Sequence, residues 1–258
     1  MKKRPQPIIA LMYHGTPENP SEIPENREPG ARLYDVPAEN FQQQMGLIKK
    51  KKYHVTVGVS PAEDTQAQQV ILTFDDGEMN NFTQAYPILK QHQFPALFFV
   101  TVNRIGQKGY MDWPQLKELI RGGMTIGSHG LNHEILLNRS EEELQREFME
   151  SKEILEESLG VKVAYFSAPR GFFNRQIVDM AREIGYSHIF VSQNGFLPYK
   201  NCIGRMPVKG SWSLRRFEEA LLGHQPLGDV CGKTMKGLAK KVLGPRAYDG
   251  LREHLLGK

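Results

Sequence analysis

An α/β fold, with parallel strands curled into a distorted or incomplete (β/α) barrel, is what this chain predicts, and three observations carry it. Short apolar runs alternate with segments of helical period. Each run leads into a loop and then a helix. A length of 258 residues with 40% hydrophobic composition suits a single barrel-sized domain. Folds of this kind place reactive groups at the C-terminal ends of their strands.

The strand candidates, in order, are PIIALMY (7–13), QVILTF (69–74), ALFFVTV (96–102), MTIGS (124–128), VAYFS (163–167) and HIFVS (188–192). Their β-branched and aromatic content, bounded by polar or turn-forming residues, is the basis for each. Helices are predicted over 38–52, 80–92, 113–121, 140–160, 174–185 and 214–223. The clearest is 140–160: Ser140 and Glu143 make a capping box, Leu144, Phe148, Leu155 and Leu159 form one stripe, and Gly160 ends it. The polar, proline-rich stretch 15–36 reads as a long loop near the rim that carries the strand ends. No internal repeat is present.

The formal net charge of +4 is too small an excess to imply nucleic acid as a partner. Cys202 and Cys231 have neither zinc-ribbon spacing nor a disulfide framework, so free thiols in a reducing compartment are expected. The apolar run after the basic N-terminus stops after about five residues, with no small-residue cleavage site, which predicts a cytoplasmic protein. No uninterrupted apolar stretch approaches the roughly 18 residues of a membrane span. We divide the chain into a domain over 1–228 and a basic helical tail over 229–258, which has seven Lys and Arg against three Asp and Glu. In that tail Met235, Leu238 and Val242 lie opposite Lys233, Lys236 and Lys240. This pattern fits a helix packed on the barrel or one resting on the anionic inner face of a membrane.

The chemistry starts at ILTFDDGEMNNF (71–82), where Asp75 and Asp76 stand side by side after a strand candidate and Gly77 permits a sharp departure. Asp-Gly alone is ordinary turn chemistry. A second cluster, GSHGLNHE, follows the fourth strand candidate and supplies His129 and His133 at a spacing that projects both from one side of a helical turn. Two imidazoles and a carboxylate, with a coordination position left open, is the catalytic zinc pattern. The same donors suit Fe(II) and leave Co, Ni and Mn open. With Asp76 on a metal, its charge is compensated and Asp75 is free to accept a proton from the attacking water. The metal lowers the pKa of that water from about 15.7 toward ~7.

At these residues the sequence resembles the polysaccharide deacetylases with a NodB-type domain, carbohydrate esterase family four. TFDDG is similar to their first motif, and SHGLNH to their second, H-[ST]-x-x-H, with Gly130 where Ser or Thr is usual. The likeness runs from about Ile8 to about Leu222 and includes LMYH, NFQQQM, FFVT, MDWPQLKEL and YFSAPRG. It implies a seven-stranded barrel and metal-dependent hydrolysis of an N-acetyl group from a sugar, with Asp75 as base and Asp76, His129 and His133 as ligands. Zn²⁺ is the first choice of metal, with Co²⁺, Ni²⁺, Mn²⁺ and Fe²⁺ as alternatives.

The third motif, usually R-x-P-[PFY], appears as SAPRG, with Ser167 at the arginine and Arg170 at the aromatic position. The likeness therefore assigns Pro169, Arg170 and Phe172 to substrate binding, with Arg170 a candidate for the cation that orients the base. Phe172, Phe173 and Trp212 are candidates for stacking on sugar rings, with core burial as the alternative. Amide cleavage also needs an acid, which the likeness implies is a histidine in L-x-x-H. Both His14 (LMYH) and His224 (LLGH) fit, and strand-end placement favours His14, whereas His224 suits a helix C-terminus. HIFVSQNGF lacks the acid-tryptophan pair of the fourth motif. The leading expectation is a cytoplasmic deacetylase acting on an N-acetylated saccharide precursor. The alternatives are a related amidohydrolase cutting a non-sugar amide and a non-catalytic saccharide-binding protein.

Overall fold

The strands of the computed structural model, which describes residues 8–28, 30–58, 67–193, 197 and 199–223, are β1 (Ile9–Tyr13), β2 (His54–Val55), β3 (Gln69–Phe74), β4 (Leu97–Val100), β5 (Thr125–Ser128), β6 (Tyr165–Ser167), β7 (His188–Val191) and β8 (Cys202–Pro207). All pair in parallel in the order β1-β8-β7-β6-β5-β4-β3, and β3 returns to β1 with Ile9 opposite Val70 and Tyr13 opposite Phe74. Seven strands therefore close a ring, and the two residues of β2 add only to the start of β3. The expected barrel is thus closed rather than incomplete. Its distortion lies in sparse pairings, since β5 and β6 share a single registered pair, Ser128 with Phe166.

Helices α1 (Ala38–Lys50), α2 (Tyr86–His92), α3 (Trp113–Arg121), α4 (Glu141–Leu159), α5 (Arg175–Glu183) and α6 (Leu214–Leu221) complete the described elements. The capping box of α4 forms as its sequence predicts, with Ser140 accepting from Glu143 N and the Glu143 side chain returning to Ser140 N at 2.8 Å. Gly160 closes that helix at φ 70, the left-handed region where glycine costs least. The helix predicted over 80–92 is divided: Asn81–Ala85 is a π-helical turn, and α2 follows it. Strands β2 and β8 were not among the predicted runs.

Two apolar layers hold the barrel. A small inner cluster takes Ala10, Ile71, Leu97, Phe99 and Phe190 from four different strands. A larger outer cluster packs Leu11, Leu72, Phe74, Phe98 and Ile126 under helix residues such as Phe41, Leu89, Leu116, Phe148, Ile177 and Phe217. Burying each such large side chain contributes about 1.5–3 kcal/mol. The strand period of two gives the site its geometry: Ile71, Thr73 and Asp75 share the inward face, so β3 delivers Asp75 at the mouth of the ring. No described helix is long and apolar enough to cross a membrane. His224, Cys231 and the tail 229–258 lie outside the described residues.

Candidate active site

Asp75 and Asp76 follow β3, His14 follows β1, and His129 and His133 follow β5, so one end of the barrel carries all five. Asp76 adopts φ 74, and Gly77 φ 80, which turns the chain sharply at the strand end. Non-glycine residues rarely hold this left-handed region, Asp and Asn being the usual exceptions, and such strain collects at functional positions. The result is that neighbouring carboxylates point to different partners.

Asp75 turns inward and is 2% exposed, and the cation that grips it is Arg205 on β8, which is fully buried. Arg205 Nη1 donates to Asp75 Oδ1 at 2.6 Å and Nη2 to Oδ2 at 2.8 Å, a two-pronged pairing that fixes the carboxylate plane. Arg205 Nη1 also donates to Thr73 Oγ1 at 3.1 Å, and Nη2 to Ser167 Oγ at 2.8 Å. Ser167 stands where the third motif usually has arginine, and its short side chain leaves the space that Arg205 enters from β8. The pairing with Asp75 considered for Arg170 is thus made by Arg205. Burial pushes the Asp75 carboxyl up, but Arg205, His129 and His14 overcome it and hold the group well below the usual carboxylate range.

Asp76, His129 and His133 each offer one donor atom, and the three lie within 4.8 Å of one another. Asp76 Oδ1 is 3.8 Å from His129 Nε2 and 3.1 Å from His133 Nε2. His129 Nδ1 lies 2.7 Å from the Ser167 carbonyl, which can only accept, so Nδ1 carries the hydrogen and Nε2 presents its lone pair. Burial lowers the His129 pKa to about 4, which keeps this ring neutral. Lone pairs converging on a carboxylate oxygen repel unless a cation lies between them, so this donor set fits a divalent metal.

The loop 15–36 meets the same rim, as its composition suggested. Its Glu28 Oε1 lies 2.5 Å from His133 Nδ1, and Arg104 bridges Glu28 at 2.6 Å and Asp76 Oδ1 at 3.0 Å. Burial would raise the Glu28 pKa, yet His133 and Arg104 hold it well below the usual carboxylate range. Arg27 anchors the loop from beneath through Asp35 at 2.7 Å and Glu78 at 2.9 Å. A ligand histidine backed by a carboxylate is the usual outer support of a metal site.

His14 stacks on Tyr34 at 5.2 Å between ring centres, and Asn81 Nδ2 donates to its carbonyl at 2.7 Å. Burial lowers its pKa, opposed by the charges of Asp76 and Asp75, which places the ring in the field of both acids. Pro169 and Arg170 lie on the turn after β6, with Arg170 at φ 60. Phe172 is 7% exposed, so little of its ring face is open for a sugar. Trp212 is half-buried and holds Arg216 over its ring at 4.6 Å, while Phe173 packs on Tyr199. Arg205, Ser167, Glu28 and Arg104 were not read from the sequence as site residues. The one signal for Arg205 was an arginine embedded in the apolar string CIGRMP.

Comparison with known proteins finds polysaccharide deacetylases. A family model described as polysaccharide deacetylase matches residues 62–189. The peptidoglycan-N-acetylglucosamine deacetylase of Bacillus cereus is 29% identical over 147 residues, covering 57% of this chain and 67% of that protein. The peptidoglycan-N-acetylmuramic acid deacetylase PdaA of Bacillus subtilis is 30% identical over 132 residues, 50% of this chain and 48% of that one. The chain spans about half to two thirds of the length of these curated relatives. The fold is shared with the solved deacetylase PplD of Streptococcus pyogenes at a TM-score of 0.72 and 24% identity, over 86% of this chain and 100% of that one.

Proposed function

Because the chain belongs to the polysaccharide deacetylase family, we propose that it removes the acetyl group from an N-acetylated sugar, releasing acetate and a free amine. One observation carries the reading: a buried carboxylate locked on Arg205 stands next in sequence to a convergent set of metal-type donors. Asp76, His129 and His133 would hold a divalent cation, Zn²⁺ first and Co²⁺, Ni²⁺, Mn²⁺ or Fe²⁺ as alternatives. Such a cation supplies Lewis-acid polarisation of the acetamide carbonyl and acidifies the attacking water.

The chain's own groups divide the movement of protons. Asp75, kept ionised by Arg205, accepts the proton of the attacking water. Arg205 and Ser167 also keep that carboxylate from rotating. An amine departs only when protonated, and His14 gives that proton. Burial outweighs the opposing charges of Asp76 and Asp75 and lowers its pKa, which makes the protonated ring the readier proton donor. Pro169 and Arg170, on the turn after β6, would form the adjoining wall, with the largely buried Phe172 next in the chain after Gly171.

The names of the relatives add cell-wall amino sugars as the substrate class. A cytoplasmic location, acting on a saccharide precursor, and membrane contact through the tail 229–258 belong to the same proposal and are tested by fractionation and vesicle sedimentation. The activity test is acetate release from a panel of N-acetylglucosamine oligomers, peptidoglycan fragments and simple acetamides. Release from the sugars, lost on chelation and restored by Zn²⁺ or Co²⁺, is expected. Release from non-sugar amides alone would favour a different amidohydrolase. Glycan binding without any release would favour a non-catalytic role.

A further inference from the structure

Gly130 stands between the two donor histidines, where the related pattern has a hydroxyl residue, and α4 meets the loop at this point. Glu147 projects from α4 and is 6% exposed. Its Oε2 accepts from Leu131 N at 2.7 Å and from Asn132 N at 3.3 Å, and its Oε1 accepts from Asn132 Nδ2 at 2.8 Å. Gly130 N donates to Ser128 Oγ at 3.1 Å, and Ser128 Oγ donates to Ser151 Oγ at 2.9 Å, one turn beyond Glu147 on the same helix. Two residues of α4 therefore fasten the segment that runs from His129 to His133.

The fastening leaves no room for a side chain at position 130 unless the Glu147 carboxylate moves. Gly130 has φ 82, and a Cβ there would stand 2.9 Å from Glu147 Oε2. A side chain at 130 and a carboxylate at 147 thus compete for one space. The amides that Glu147 holds lie between the two histidines, and His133 itself takes φ 59, a conformation that relaxes readily once its support is removed.

We propose that Glu147 is a positioning residue for the metal-donor loop, shaping it from α4 in place of a side chain at position 130. The inference rests on reading Asp76, His129 and His133 as a metal site. Its test is the Zn²⁺ dissociation constant, measured by competition with a chromogenic chelator, together with the Co²⁺ absorption spectrum and the melting temperature. Glu147→Gln and Glu147→Ala should each weaken Zn²⁺ binding by about 10–100-fold, as loss of an outer support does. Leu155→Ala, on the same helix but buried in its apolar stripe, should lower the melting temperature and leave the affinity unchanged.

Gly130→Ser should weaken Zn²⁺ binding more in the wild-type background than in Glu147→Ala. The cost of the left-handed backbone is common to both backgrounds and cancels in the cycle. Unchanged affinity in both Glu147 variants, or an equal effect of Gly130→Ser in the two backgrounds, would overturn the proposal. A wild-type protein that binds no Zn²⁺ would overturn the metal reading and this inference together.

Discussion

Replacing Arg205 with methionine keeps most of the side chain's length and removes its charge, leaving the 2% exposed Asp75 carboxylate without its two-pronged partner. Breaking a buried pair by removing one member costs about 3–5 kcal/mol. The pH dependence identifies the cause. Burial pushes the Asp75 carboxyl up, and Arg205 is the largest influence pulling it down, so its folded pKa lies below the unfolded one. Wild-type Asp75 is therefore ionised in both states above about pH 5, and its stabilisation is lost progressively as pH falls from the unfolded value through the folded one.

Without Arg205, burial prevails and the folded pKa rises above the unfolded value of about 3.9. Folding then takes up a proton, and stability falls as pH rises above ~4 by up to about 1.4 kcal/mol per pH unit. The assay is urea unfolding with chelator present, at several pH values from about 4.5 to 7 across that window. It compares wild type, Arg205→Met, Asp75→Asn and the double variant. The Arg205→Met defect should grow from the acid to the neutral end, and Asp75→Asn should relieve most of it. A defect that is equal at both ends, or that persists in the double variant, would refute the reasoning.

Asp75→Asn should bind Zn²⁺ like wild type by calorimetry while acetate release falls by about 10²–10⁴-fold, the usual contribution of a general base. His14→Gln should slow hydrolysis of an N-acetyl sugar by a similar ~10²–10⁴-fold. The same variant should change hydrolysis of an aryl acetate far less, because a phenolate leaves without a proton; equal losses on both substrates would remove His14 as the acid. Burial pushes the Cys202 thiol up to about 11, so iodoacetamide at mildly alkaline pH should label it only after unfolding, as read by peptide mass spectrometry.

The parts legible in the sequence were those whose pattern is local. The six predicted strands are short, mainly apolar runs without a charged residue, and the donor residues sit in two compact strings, TFDDG and SHGLNH. Strand β8 escaped because Gly204, Arg205 and Pro207 interrupt its apolar character. That interruption places a cation inside the barrel, so the strand hardest to recognise is also the one that holds the Asp75 carboxylate. The break in the helix predicted over 80–92 has a similar origin. Periodicity cannot reveal a π-helical turn, and here Asn80 holds Thr16 N at 2.7 Å while Asn81 holds the His14 carbonyl. Glu28, Arg104 and Glu147 reach the site from a loop, a turn and a distant helix, and only the folded chain brings them to the histidines.

The central claim is one divalent cation held by the ends of β3 and β5 beside a carboxylate that does not bind it. An anomalous difference map at the zinc edge, from crystals of the Zn²⁺-loaded protein, tests this most directly. One peak bounded by Asp76, His129 and His133 is expected, with Asp75 still paired to Arg205. No peak at that place, or a metal held by Asp75 in place of Asp76, would contradict it.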